Sequence, residues 1–222
     1  MGQLGMPGMG GGMTMPSMEY NSILLMDPGV QKDMGVSPQV TAKIQSTLMQ
    51  SLSKILPNMM GAMGGKKLSQ SDQVAMGKQM IDVYADINKK VLVLLTPQQK
   101  VRLHQITLQT FGPAAILDPK VASELGLSAN QKSLLSGKYA AVASANTASM
   151  KKVYDPSKGM DMSKAGDMMA SFRAAQKKMR VGYLAAMNSV LTSSQKQKWV
   201  ELQGKHVELG MIGQMVTGGM GG

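Results

Sequence analysis

The stretch VLVLLTPQQKVRLHQ, Val91 to Gln105, contains Leu95-Thr96-Pro97-Gln98-Gln99, and NSVLTSSQKQKWVELQ, Asn188 to Gln203, contains Leu191-Thr192-Ser193-Ser194-Gln195. A Thr followed three residues later by Gln is a capping box. The hydroxyl accepts from the N3 amide, and the Gln side chain reaches back to the N-cap amide. Each copy therefore predicts a helix start. Pro97 strengthens the first, because proline at N1 gives up no hydrogen bond and already has a helical φ. One copy says only that a helix is well capped; two at the same kind of boundary point to a repeat.

Working outward, ILLMDPGVQKDMGVSPQVTAKI (Ile23 to Ile44) aligns without gaps on AAILDPKVASELGLSANQKSLL (Ala114 to Leu135). Asp27 matches Asp118, Pro28 matches Pro119, Val30 matches Val121, Gly35 matches Gly126 and Ser37 matches Ser128. The offset is 91 residues from Asp27 to Asp118 and 96 from Thr96 to Thr192. The chain thus reads as a duplicated helical unit of about 95 residues. Each unit has a second box. Leu127-Ser128-Ala129-Asn130-Gln131 keeps the capping geometry with Ser for Thr, whereas Val36-Ser37-Pro38-Gln39-Val40 has valine where the box needs Gln.

Apolar residues between these boundaries recur near every fourth position. Val40, Ile44, Leu48, Leu52 and Ile55 form one such row, and Met80, Ile87, Val91 and Leu94 form another. The last helix reads from the Thr192 cap through Trp199, Leu202, His206 and Leu209. No segment shows the period-2 alternation of a strand. The expectation is an all-α fold of about six or seven helices in two related helical-hairpin halves. Residues 21–112 form the first repeat and 113–209 the second. The Gly/Met-rich ends, residues 1–20 and 210–222, read as flexible tails, since neither contains enough apolar surface to offset its ordering entropy.

Composition narrows the function classes. The 222 residues are 43% hydrophobic but contain only Phe111, Phe172, Trp199 and five tyrosines as aromatics, so the core is aliphatic and methionine-rich. With no cysteine there is no disulfide scaffold, thiol nucleophile or thiolate metal site. The longest aliphatic run, Val91 to Leu95, is far below the roughly 18 residues a membrane span needs, so no transmembrane segment is expected. No secretory signal is visible in the first residues, which lack a basic n-region and an apolar h-region. Net charge is +11, and Lys151 to Lys205 holds eleven basic and four acidic residues. That asymmetry suits either a solvated surface or an anionic partner. Nucleic acid is not the expected one, because arginine-rich blocks, zinc spacings and aromatic stacking platforms are all missing.

A mainly helical, cysteine-free chain with paired Leu-Thr-x-x-Gln boxes resembles the LTXXQ-motif superfamily, the Spy/CpxP-like periplasmic proteins. The segment Leu94 to Lys132 and the Thr192 box carry the similarity. The resemblance implies bent helical hairpins, a periplasmic or otherwise extracytoplasmic location, and ATP-independent chaperone action on unfolded clients, often as a homodimer; other branches sense or store metal ions. The boxes themselves, at Leu95, Thr96, Gln99, Leu127, Ser128, Gln131, Leu191, Thr192 and Gln195, are read as helix caps.

Candidate chemistry is sparse. No nucleophile, base and metal-ligand constellation is visible, so the chain reads as non-enzymatic. His104 and His206 occupy non-equivalent positions and read as surface or half-buried residues. Client binding is expected on the helix from about Lys164 to Val190, where Phe172, Met179 and Val190 share a stripe beside Arg173, Lys177 and Arg180. These three basic residues are expected to be exposed. An alternative uses the methionine tail, where Met6, Met9, Met13, Met15 and Met18 lie two to four residues apart. Soft thioethers at that spacing suit Cu(I), which would be the only cofactor. A structural helical protein of the envelope is the third reading.

Overall fold

The computed structural model describes residues 20–57, 69–153 and 165–210. Eight α-helices and two 3-10 turns fall among these residues, with no strand; six of the helices have seven residues or more. The first half opens with a 3-10 turn, Ser22–Met26, followed by α1 (Pro28–Asp33), α2 (Pro38–Leu52), α3 (Gln70–Leu92) and α4 (Pro97–Phe111). The second repeats the order with a 3-10 turn, Gly112–Leu117, then α5 (Pro119–Glu124), α6 (Ala129–Val153), α7 (Ala165–Val190) and α8 (Ser193–Gln203).

The internal duplication is visible down to single hydrogen bonds. Asp27 caps α1 by accepting from Gly29 N at 2.8 Å, and Asp118 caps α5 by accepting from Lys120 N at 2.8 Å. Both short helices end in a glycine with left-handed backbone, Gly35 at φ 60° and Gly126 at φ 66°. Such a residue closes a Schellman motif. Val36 N bonds Gln31 O at 3.0 Å, and Leu127 N bonds Ala122 O at 2.9 Å. The motif turns the chain so that Ser37 and Ser128 cap the long helix that follows.

Two cores result. Leu24, Leu25, Val30, Ile44, Leu48, Ile87, Val91 and Leu103 belong to the first. Ile116, Val121, Leu125, Leu135, Tyr139, Met187, Leu191 and Trp199 belong to the second. Each is built where a long hairpin, α2 with α3 or α6 with α7, meets the short helices of its half. The α4 helix is shared: Leu103 and Ile106 face the first core, Leu108 the second. It packs on α8, and this pair joins the halves.

One element departs from the sequence reading. Helix α8 stops at Gln203, because Gly204 adopts φ 61°. His206 and Leu209 therefore lie on an extended strap. Gln109 of α4 holds it from the main chain, donating to Gln203 O at 2.6 Å and Lys205 O at 2.7 Å and accepting from Val207 N at 3.1 Å. Val207 is buried in the first core, so the end of the second half closes onto the first.

Candidate functional site

The boxes are structural joints with a second task. Thr96 Oγ1 accepts from Gln99 N at 3.2 Å while Gln99 Oε1 accepts from Thr96 N at 3.0 Å, which completes the capping box. Gln99 Nε2 is then free to reach across the fold, donating to Met34 O at 3.3 Å and Gly35 O at 3.2 Å. Thr192 and Gln195 repeat this, with Gln195 Nε2 donating to Gly126 O at 3.2 Å. In the second half Gln131 caps from Ser128 and pairs amide to amide with Gln195, at 2.8 and 3.1 Å. Val40 takes that position in the first half, so Gln99 instead bonds two carbonyls. Leu95, Leu127 and Leu191 are buried in the two cores. The motif thus pins the start of the fourth helix to the glycine turn of the same half.

The α6–α7 hairpin carries the surface with chemical character. Its helical residues 129–153 and 165–190 include Lys132, Lys138, Lys151, Lys152, Arg173, Lys177, Lys178 and Arg180 against one acid, Asp167. Lys54 and Lys90 with Asp86, and Arg102 with Asp33, form ion pairs in the first half. In the first hairpin Asp86 answers local lysines. Hydrogen bonding to Lys90 holds its carboxyl below the usual carboxylate range.

The expected client residues divide by face. Met187 is buried, Met179 and Tyr183 are half-buried, and Val190 packs against the second core, so this stripe of α7 is turned inward. Arg180 is half-buried as well. Its guanidinium lies over Gly112, 3.5 Å from where a Cβ would sit, and anchors α7 to the joint between halves. Arg173 and Lys177 are exposed, as expected, and Lys178 joins them. The side chain of Phe172 lies outside the described residues, as do Met6, Met9, Met13, Met15 and Met18.

Sequence reasoning missed the apolar half of the outer surface. Val181 is 60% exposed and Leu184 43%. With Arg173 and Lys177 they form a single row at i, i+4, i+8 and i+11, two cations followed by two apolar side chains. The spacing from Lys177 is itself the signal that could have found them. Leu134 of α6 is also exposed, with Lys138 one turn on.

Inside the hairpin, Tyr139 stacks on Tyr183 with ring centroids 4.4 Å apart, and its hydroxyl donates to Pro113 O at 2.9 Å. Burial pushes both phenols above the usual tyrosine range. His104 bonds Glu124 of α5 at 3.2 Å across the joint, and His206 is exposed on the strap. Groups of three or more His, Asp or Glu arranged to hold a metal are not found among the described residues, and no helix there is long and apolar enough to cross a membrane. Compared with family models, curated proteins and solved structures, the chain matches none.

Proposed function

We propose that this is a non-enzymatic client-binding protein of chaperone type, acting without nucleotide on unfolded or partly folded polypeptides through the outer face of α7. One observation carries the reading: Arg173, Lys177, Val181 and Leu184 lie in one exposed row on a hairpin with eight basic residues and one acidic. A client meets charge at long range and apolar contact at short range, so encounter is fast and the contact tolerates varied surfaces. The resemblance to Spy/CpxP-like proteins supports the same reading and extends it to an extracytoplasmic location and a homodimer.

The test is suppression of aggregation of an acidic, heat-denatured client by the purified protein, without nucleotide. Protection should weaken as salt rises above the physiological range, where screening shortens to a few ångströms. Changing Arg173, Lys177 and Lys178 together to Gln should slow capture without unfolding the chain, since all three are exposed. Protection indifferent to both salt and this change would refute the mechanism.

A second reading rests on the two-to-four-residue spacing of Met6, Met9, Met13, Met15 and Met18, which suits Cu(I). Cu(I) titration of the full chain against one lacking residues 1–19 separates the two. Equal stoichiometry in both would dismiss a tail site.

A further inference from the structure

The duplication relates the two hairpins position by position, and two positions differ in kind. In the first hairpin Ile55 is 3% exposed within the first core, and Met80 packs against that core. The offsets that carry Asp27 to Asp118 and Thr96 to Thr192 carry Ile55 to Asn146 and Met80 to Gln176. Two apolar positions in one copy, Ile55 in the turn after α2 and Met80 on α3, are amides in the other. Asn146 Oδ1 and Gln176 Oε1 are both buried, and neither accepts a hydrogen bond.

The register of the helices places these two residues together. Tyr139 stacks on Tyr183. Asn146 lies two turns beyond Tyr139, and Gln176 two turns before Tyr183, so in an antiparallel pair they share a level. The half-buried residues next to the layer are the small Ala143, Thr147 and Ala175, with the larger Val142, Met179 and Arg180 on its tyrosine side.

A buried acceptor without a donor keeps its desolvation penalty until a donor arrives. Polar residues at the core positions of paired helices also weaken the pairing. We propose that the second hairpin opens at the Asn146–Gln176 layer, and that its parted arms hold an extended segment of non-native polypeptide whose main-chain N–H groups donate to the two amide oxygens. Every residue except proline carries that donor, so recognition is independent of client sequence. The first hairpin, with Ile55 and Met80 set against its core, stays a rigid frame. This inference rests on the client-binding reading and adds how the client is held.

The variant Asn146→Ile with Gln176→Met installs the first hairpin's residues in the second. Reduced, carboxymethylated α-lactalbumin serves as a permanently unfolded acidic probe. In the wild type, amides of residues 143–150 and 171–178 should exchange hydrogen roughly tenfold or more faster than those of 132–139 and 183–190, and should become protected when the probe binds. In the variant these amides should slow to the proximal rate, and probe affinity should fall severalfold although Arg173, Lys177 and Lys178 are intact. A variant that exchanges slowly yet binds the probe as well as wild type overturns the proposal, as does uniform exchange along the wild-type hairpin. Should the variant fail to fold, wild-type exchange with and without probe decides alone: binding without protection of the arms overturns this proposal only, whereas absence of binding overturns it together with the client-binding reading.

Discussion

At the third position of a helix a glutamate caps as well as a glutamine, and it answers the helix dipole better. Gln99 and Gln195 nevertheless need their amide nitrogen, because each donates it to the carbonyl of a glycine turn in the same half. Changing either to Glu places an acceptor against an acceptor. The expected loss is about 0.5–1.5 kcal/mol in urea unfolding, the net worth of a hydrogen bond whose acceptor water can still reach. Acid should shrink it, since a protonated carboxyl regains a donor. A Glu variant as stable as wild type at neutral pH would reduce the motif to a plain capping box. The capping half is legible in the sequence, because its two residues lie only three apart. The stapling half is not: its partner Gly35 lies 64 residues away, and only the fold brings it near.

Among the elements, the α6–α7 hairpin shows how far periodicity reads. It announces two long helices and their inner stripe, but not how closely they approach. Gly182 of α7 sits where a Cβ would meet Val142 Cγ1 at 2.8 Å, while Gly137 of α6 has open space around it. Helix propensity alone predicts a gain of about 0.8–1 kcal/mol for either glycine changed to alanine. The expected outcome is opposite signs: Gly137→Ala raises the melting temperature, and Gly182→Ala lowers it because a β-branched neighbour on the facing helix has to move. Matching gains would show that the helices do not touch there. The tyrosine stack makes a second prediction for the same element. Burial raises the Tyr139 phenol above the ordinary tyrosine value of 10.0, with Tyr183 adding to the effect, so the folded state keeps a proton that the unfolded state releases. That stability is complete below pH 10 and is lost as pH climbs through the folded value. Tyr139→Phe gives up the bond to Pro113, about 0.5–1.5 kcal/mol at neutral pH. Its melting temperature should fall less steeply than wild type in alkali, and parallel curves would show that the phenol does not titrate with unfolding. The inward turn of Met179 and Arg180 follows from helix rotation against α6 and the Gly112 joint, which no local pattern encodes. The strap likewise escapes a periodicity reading, because a left-handed glycine ends α8 while the apolar spacing runs on to Leu209.

Across the whole molecule, the two halves share a frame but not a surface. Shared caps, glycine turns and boxes build two cores, and α4, α8 and the Gln109-held strap lock them together. Divergence is concentrated in the hairpins, where the first sets Ile55 and Met80 against its core with Asp86 answering its lysines, and the second is basic with Asn146 and Gln176 at the matching positions and exposed Val181 and Leu184. The most direct test of a division into frame and binding arm is a matched charge neutralisation. Arg173, Lys177 and Lys178 of the second hairpin are changed together to Gln in one variant, and the exposed Lys43, Lys78 and Lys89 of the first hairpin in another. Both variants lose three positive charges, so any effect of net charge alone is equal. Suppression of aggregation of one acidic client, measured side by side at physiological salt, should fall severalfold in the second-hairpin variant and stay near wild type in the first; equal loss, or equal retention, in the two would contradict the assignment of client binding to the second hairpin.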